Sequence, residues 1–222
     1  MRVLAVVPAR GGSRRVSRKN LAVLGGRTLV RRALETALAA GCFDVLALSS
    51  EDVEILAEAD GLDVRALQRP AELATDTARA YDVVVHALGE LGDFDAVAVI
   101  QATSPFTAAE DLSGAVALLE SSGAESVVSV VRLEAAIHPL KLKRLQPDGR
   151  LLPFLEDDAM TPSHELPPLW VRNGSVYLSR VEVLERGLLV SDGDVRGYEM
   201  PEERSYDIDT PRDLAFAQFL TQ

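Results

Sequence analysis

Val3 to Asn20 reads VLAVVPARGGSRRVSRKN, an apolar run that stops at Pro8 and opens into a loop with two glycines and five cations, Arg10, Arg14, Arg15, Arg18 and Lys19. The run Val3-Leu4-Ala5-Val6-Val7 has no polar alternation and is rich in β-branched residues, the pattern of a strand buried on both faces of a parallel sheet. Loops leaving the carboxyl ends of such strands form the crevice that open α/β folds use for ligands. Gly11 and Gly12 would let backbone N–H groups approach an anion, and the cations supply charge and forked donors, so the loop points to phosphate. Its spacing is neither G-x-G-x-x-G nor G-x-x-x-x-G-K-[ST], which argues against a Rossmann dinucleotide site and a P-loop.

The cations could also be no more than a solvated loop, but their setting argues otherwise. The chain carries a formal net charge of −11 over 222 residues, and against that background a dense basic patch after the first strand stands out. Nucleic acid needs a basic face spread over many phosphates, so a small anion in one pocket is the better match. The length suits one domain over residues 1–222. The single Cys42 allows no intrachain disulfide, and three scattered histidines give no zinc-ligand spacing. With no signal peptide and no apolar stretch of spanning length, a cytoplasmic protein with no membrane partner is expected.

Along the chain the period alternates. Thr28 to Ala40 places Leu29, Ala33, Leu34, Ala37 and Leu38 on one helical face, with Gly41 as a stop. Asp44 to Ser49 reads as a strand, Glu51 to Ala59 as a short helix and Asp63 to Leu67 as a third strand. Helices over 79–91 and 108–121 alternate with strands over 96–101 and 126–131. Such alternation predicts a three-layer α/β fold with a mostly parallel, Rossmann-like sheet. Between Arg132 and Pro168 the pattern breaks, with Pro139, Pro147, Pro153, Pro162, Pro167 and Pro168 and no sustained period. A structureless loop of that length is improbable in a compact domain, so this stretch is expected to form an arm or small subdomain that packs on a second subunit. Trp170 to Ser179 returns to strand-like sequence. Val181 to Arg186 fits a helical turn and Tyr206 to Asp209 a last short strand. Thr210-Pro211-Arg212-Asp213 marks the start of a final helix.

Three further stretches carry candidate chemistry. If Asp207-Ile208-Asp209 is extended, both carboxylates lie on one face, and hard oxygen donors so close suit Mg²⁺ shared with substrate phosphates. Asp209 is equally suited to capping the last helix, with Asp207 facing water. Gln101-Ala102-Thr103-Ser104-Pro105, at the end of a strand, offers polar groups for a base or sugar, although a strand-to-helix turn uses the same residues. The stretch from Arg69 to Thr77 has the same ambiguity, and His86 reads as a packed helical histidine.

Together these stretches resemble the acylneuraminate and CMP-3-deoxyoctulosonate type of cytidylyltransferase, a family with the nucleotide-diphospho-sugar transferase fold. The resemblance runs nearly the whole length. It is carried by Pro8-Ala9-Arg10-Gly11-Gly12-Ser13 with Lys19-Asn20, Arg69-Pro70 with Glu72-Leu73-Ala74 and Asp76-Thr77, and Gln101 with Thr103-Ser104-Pro105. Further matches are Ser126-Val127-Val128-Ser129, His138-Pro139-Leu140-Lys141, Asn173-Gly174 with Tyr177, and Asp207-Ile208-Asp209-Thr210.

The resemblance implies an enzyme that joins CTP to a keto-sugar acid with loss of pyrophosphate, uses Mg²⁺, and works as a homodimer exchanging the 132–168 arm. It assigns Arg10 and Lys19 to the triphosphate and Asp207 and Asp209 to the metal. Ala9, Gly11, Gly12, Ser13, Asn20, Arg69, Asp76 and Thr77 would complete the nucleotide site. Gln101, Thr103, Ser104, Lys141, Asn173 and Tyr177 would face the acceptor. On this reading Lys19 serves the ligand rather than folding, as an exposed cation would. The chain departs from the sialic acid branch in three places. Phe106-Thr107 follows Pro105 where that branch has Leu-Arg, Arg79 and Ala80 replace two serines, and Ser163, His164 or Glu165 stands where an arginine precedes Leu-Pro. The acceptor is thus left open. Two alternatives remain: a transferase of the same fold using another nucleotide and a sugar phosphate, and a nucleotide-sugar-binding homologue without turnover.

Overall fold

The computed structural model describes residues 1–13, 15–155 and 162–221. In chain order it contains strand β1 (Val3–Pro8), a two-residue ribbon of β2 (Val23–Leu24) and β3 (Arg27–Thr28), and helix α1 (Leu29–Ala40). Then come β4 (Val45–Ser50), α2 (Val53–Leu56), β5 (Arg65–Gln68), α3 (Ala80–Leu91), β6 (Ala96–Ile100), α4 (Ala109–Ser122) and β7 (Ser126–Arg132). A hairpin of β8 (Lys143–Leu145) and β9 (Leu151–Pro153) precedes β10 (Trp170–Arg180), α5 (Val181–Glu185), β11 (Val195–Glu199) and α6 (Pro211–Leu220).

Seven strands form the central sheet in the order β11-β7-β10-β6-β1-β4-β5. All pairings are parallel except those of β10, which runs antiparallel to both β6 and β7. The expected mostly parallel, three-layer sheet is what forms. The reason is visible in β1, whose alternate residues feed opposite cores. Val3, Ala5 and Val7 pack with Leu29 and Leu34 of α1 and Leu112 and Leu119 of α4. Leu4 and Val6 pack with Val84 and Ala87 of α3 and Leu184 of α5. Helix ends follow local chemistry. Thr28 Oγ1 accepts from the Arg31 amide at 3.1 Å, and Gly41 ends α1 at φ 60, a conformation that favours glycine.

One expectation fails. Tyr206 to Asp209 forms no strand; instead Ile208, fully buried, donates its N–H to the Thr103 carbonyl at 2.9 Å. The remaining strand is β11, an edge strand whose sequence VRGYE leaves most side chains exposed and so offers no apolar run to find it by. The 133–169 excursion leaves the sheet between β7 and β10, its ends joined where the Leu133 amide donates to the Leu169 carbonyl at 2.8 Å. Within it lie short 3-10 turns and the β8–β9 hairpin, with Leu145 and Leu151 64–71% exposed.

Candidate active site

At the carboxyl ends of β1, β5 and β6 lies a cavity of about 710 Å³, the crevice expected beyond strands of this kind. Pro8 ends β1 at its edge, and the following loop supplies Arg10, Ser13, Arg15, Lys19 and Asn20 to the wall. Arg69 enters from the end of β5 with Asp76 beyond it, Gln101 and Thr103 from the end of β6, Gly174 and Tyr177 from β10, and Asp207 and Asp209 from the segment before α6. Five stretches far apart in sequence thus converge on one space.

The cations of the loop are not equivalent. Arg10 pairs with Asp76 (Nη1 to Oδ1, 2.8 Å). Lys19 donates Nζ to the Ile208 carbonyl at 2.7 Å and to Asp209 Oδ1 at 3.3 Å, with its side chain only 16% exposed. It is therefore partly structural, contrary to the exposed cation expected from sequence. Arg15 reaches Asp209 at 3.6 Å. Arg18, at φ 50, turns to Asp52 and Glu54 at 3.2 and 3.0 Å and takes no part in the wall. Arg14 lies outside the described residues.

Gly11 acts differently from the amide donor expected of it. Its N–H already donates to Glu51 Oε1 at 2.8 Å, and a Cβ there would come within 2.5 Å of Asp52 Oδ2, so a side chain would force Asp52 to shift. Gly12 faces open space. Glu51 was not foreseen in this role. Its other oxygen accepts from Arg69 Nη2 at 3.0 Å, and one carboxylate thereby ties the loop to a buried arginine. Burial is the main influence lowering the Arg69 pKa, with the Glu51 pair opposing it. Arg69 Nε is buried with no hydrogen-bond partner among the described residues.

Asp207 and Asp209 both line the cavity, as the two-residue spacing predicts, although the segment is not a strand. Loss of water around the Asp207 carboxyl raises its pKa, and the charge of Asp209 adds to this, against a Thr103 hydrogen bond and Lys19. Asp209 is not the cap of α6. Thr210 and Asp213 fill that role reciprocally, Thr210 Oγ1 accepting from the Asp213 amide at 3.2 Å and Asp213 Oδ2 from the Thr210 amide at 2.7 Å. Asp209 thus has no part in the helix cap, and its present partners are Lys19 and Arg15. No cluster of three or more metal-ligating side chains occurs among the described residues. Two carboxylates without a third fit Mg²⁺ shared with a phosphate ligand, not an all-protein cage.

Other predicted residues fall outside the wall. Ala9 is buried, its N–H on the Ser49 carbonyl at 3.0 Å, and Thr77 meets the Thr75 hydroxyl at 3.2 Å. Ser104 is buried below Gly174, where a Cβ would stand 3.7 Å from its Oγ. Asn173 is buried as well. It donates to Met200 Sδ and to Ser205 Oγ at 2.9 Å, so it braces the aspartate segment instead of facing the cavity. Lys141 sits in the excursion with Nζ on Ser163 Oγ at 2.6 Å and is not part of the wall.

Residues 4–165 match the family model described as cytidylyltransferase. The CMP-N,N'-diacetyllegionaminic acid synthase of Legionella pneumophila is 32% identical over 230 residues, covering all of this chain and 97% of the relative. The N-acylneuraminate cytidylyltransferase of Streptococcus agalactiae serotype V is 28% identical over 96% of this chain, which spans only 52% of that relative. In fold, a CMP:2-keto-3-deoxy-manno-octonic acid synthetase solved in complex with CTP superposes with a TM-score of 0.73 at 17% identity, over 99% of this chain and 98% of that one. The 4-diphosphocytidyl-2C-methyl-D-erythritol synthase of Anaerococcus prevotii gives 0.68 at 16% identity, over 100% and 96%. With the model matched over most of its length, this chain belongs to the cytidylyltransferase family.

Proposed function

We propose that the chain transfers CMP from CTP to the anomeric hydroxyl of a sialic-acid-like keto-sugar acid. The hydroxyl oxygen forms the new bond to the α-phosphorus, the bond from that phosphorus to the bridging oxygen breaks, pyrophosphate leaves and the hydroxyl proton passes to water. One observation carries the reading: in a member of this family, a single cavity unites Arg10, Arg15 and Lys19 with the carboxylates Asp207 and Asp209.

Arg10 and Lys19 would exchange their present acidic partners for the triphosphate, with Ser13, Asn20 and Arg69 completing the nucleotide side. Fixed cations in a partly dry cleft stabilise charge that develops on a leaving pyrophosphate. Asp207 and Asp209 would hold Mg²⁺, which supplies neutralisation of the triphosphate charge when bound. Gln101, Thr103 and Tyr177 would line the acceptor side. We also read the 132–168 arm as a homodimer contact that brings Lys141 to the partner subunit's cavity. This is supported by the apolar side chains it exposes, Leu145, Leu151 and Phe154 among them. A cytoplasmic setting is part of the same proposal; no described helix is long and apolar enough to cross a membrane.

Pyrophosphate release with each of the four nucleoside triphosphates, against a panel of keto-sugar acids and sugar phosphates, tests the reading. CTP with a keto-sugar acid is expected to turn over. Turnover with another nucleotide and a sugar phosphate would replace it, and CTP binding without any pyrophosphate release would point to a binding protein.

A further inference from the structure

Asp111, near the start of α4, has no exposed surface and is not among the residues that line the cavity. Its partner is Arg204, whose Nε donates to Oδ2 and Nη2 to Oδ1, both at 2.9 Å. Oδ2 also accepts from the Ala108 amide at 2.9 Å. One buried carboxylate therefore joins two segments that each end in the cavity. Ala108 closes the turn that carries Gln101 and Thr103, while Arg204 stands three residues before Asp207. Between them Ser205 Oγ accepts from Asn173 and donates to the Pro201 carbonyl at 2.8 Å. Beyond Asp207 the Ile208 amide closes on the Thr103 carbonyl at 2.9 Å.

A forked, two-bond pair fixes orientation as well as distance, which an apolar contact at the same place would not. We propose that Asp111 and Arg204 are positioning residues, whose pairing sets where the Asp207 carboxylate stands relative to the Gln101–Thr103 turn. The proposal rests on the nucleotidyl-transfer reading above. Neither residue lines the cavity, so both act through Asp207 and Thr103.

The test combines calorimetric CTP binding at stepped Mg²⁺ concentrations, steady-state kinetics and thermal melting. It compares wild type, Arg204→Lys, Asp111→Asn and the double variant D111N/R204M, which removes both charges and strands neither in the interior. In the double variant, the Mg²⁺ needed for half-maximal CTP binding should rise, and kcat should fall, each by about tenfold or more. Metal-free CTP binding should not change. Arg204→Lys keeps the charge without the fork and should fall between it and wild type. A lowered melting temperature with wild-type Mg²⁺ dependence and wild-type kcat per folded molecule would overturn the proposal. Should the double variant not fold, Arg204→Lys decides on the same readouts. Wild type that neither binds CTP nor releases pyrophosphate would refute the underlying reading, and the positioning role with it.

Discussion

Arg10 and Asp76, 66 residues apart in the chain, are ion-paired on the cavity wall with Nη1 2.8 Å from Oδ1. The side chains are each 36% exposed, so the pair contributes little to stability, within about 1 kcal/mol. A triphosphate would offer Arg10 a stronger, doubly bonded partner. Arg10→Ala should therefore leave the melting temperature nearly unchanged while weakening CTP binding about ten- to a hundredfold, the loss of one charge-assisted contact. Arg10→Lys should recover only part of this, because an ammonium cannot form the fork. Calorimetric binding with parallel melting curves checks both.

Lys19 differs in that its ammonium also holds the Ile208 carbonyl at 2.7 Å. Replacing it should cost both stability and turnover. Lys19→Met keeps most of the apolar stem and removes the donor, so it should lower stability by about 1–2 kcal/mol, roughly 3–6 °C in melting temperature for a chain of this size. Turnover should fall by a much larger factor. Wild-type melting in this variant would show that the contact to Ile208 does not stabilise the aspartate segment.

Asp209→Asn should separate metal binding from helix capping. Thr210 and Asp213 cap α6, so the variant should retain its helical circular dichroism. It also relieves Lys19 and Arg15 of an acidic competitor at 3.3 and 3.6 Å, so CTP binding without metal should be no weaker than in wild type. The Mg²⁺-dependent gain in CTP affinity should be lost, and Asp207→Asn should lose it too. Unchanged Mg²⁺ dependence in both variants would move the metal elsewhere.

If the arm is a dimer contact, a charge on its exposed apolar face should disrupt it. Leu145 and Leu151 pair across the β8–β9 hairpin and are 71% and 64% exposed. The double variant L145D/L151D should elute and scatter as a monomer, with turnover falling if Lys141 acts in the partner subunit's site. A wild-type protein that is monomeric and fully active at high concentration would remove this part of the reading.

Away from the cavity, Glu125 offers a pH test. Both its oxygens accept from Arg186, at 3.0 and 2.9 Å, and these bonds together with the Ser191 hydroxyl hold its carboxyl down at about 2. A carboxyl whose folded pKa is depressed adds stability above its unfolded value, and that stability is lost as pH falls. For Glu125 the loss should run from the ordinary carboxylate range near 4.5 down to about 2. Glu125→Gln should reduce the steepness of acid unfolding in that window and leave turnover at neutral pH unaltered. Melting temperatures recorded from pH 2 to 7 measure the difference, which solvent screening keeps small.

The sequence alone determined the sheet and the address of the site. Apolar runs such as Val3–Val7 and Ala96–Ile100 are buried on both faces, and that need is written into consecutive residues. The basic loop after β1, the Gln101 turn and the Asp207–Asp209 pair were legible for the same reason, because each is a local pattern. What tertiary structure decided is which members of each pattern face the cavity. Arg18 turns to Asp52 and Glu54 while Arg15 reaches Asp209 on the cavity wall, and nothing in their spacing distinguishes them. Glu51, the support of both Gly11 and Arg69, carries no local signature, since its partners lie 40 and 18 residues away. The same holds for Asp111 and Arg204, 93 residues apart, and for β11, whose exposed edge needs no apolar run. Local sequence fixes where the backbone can satisfy its hydrogen bonds and bury its apolar face, whereas a pairing of charges across the chain exists only once folding has brought both partners to the same place.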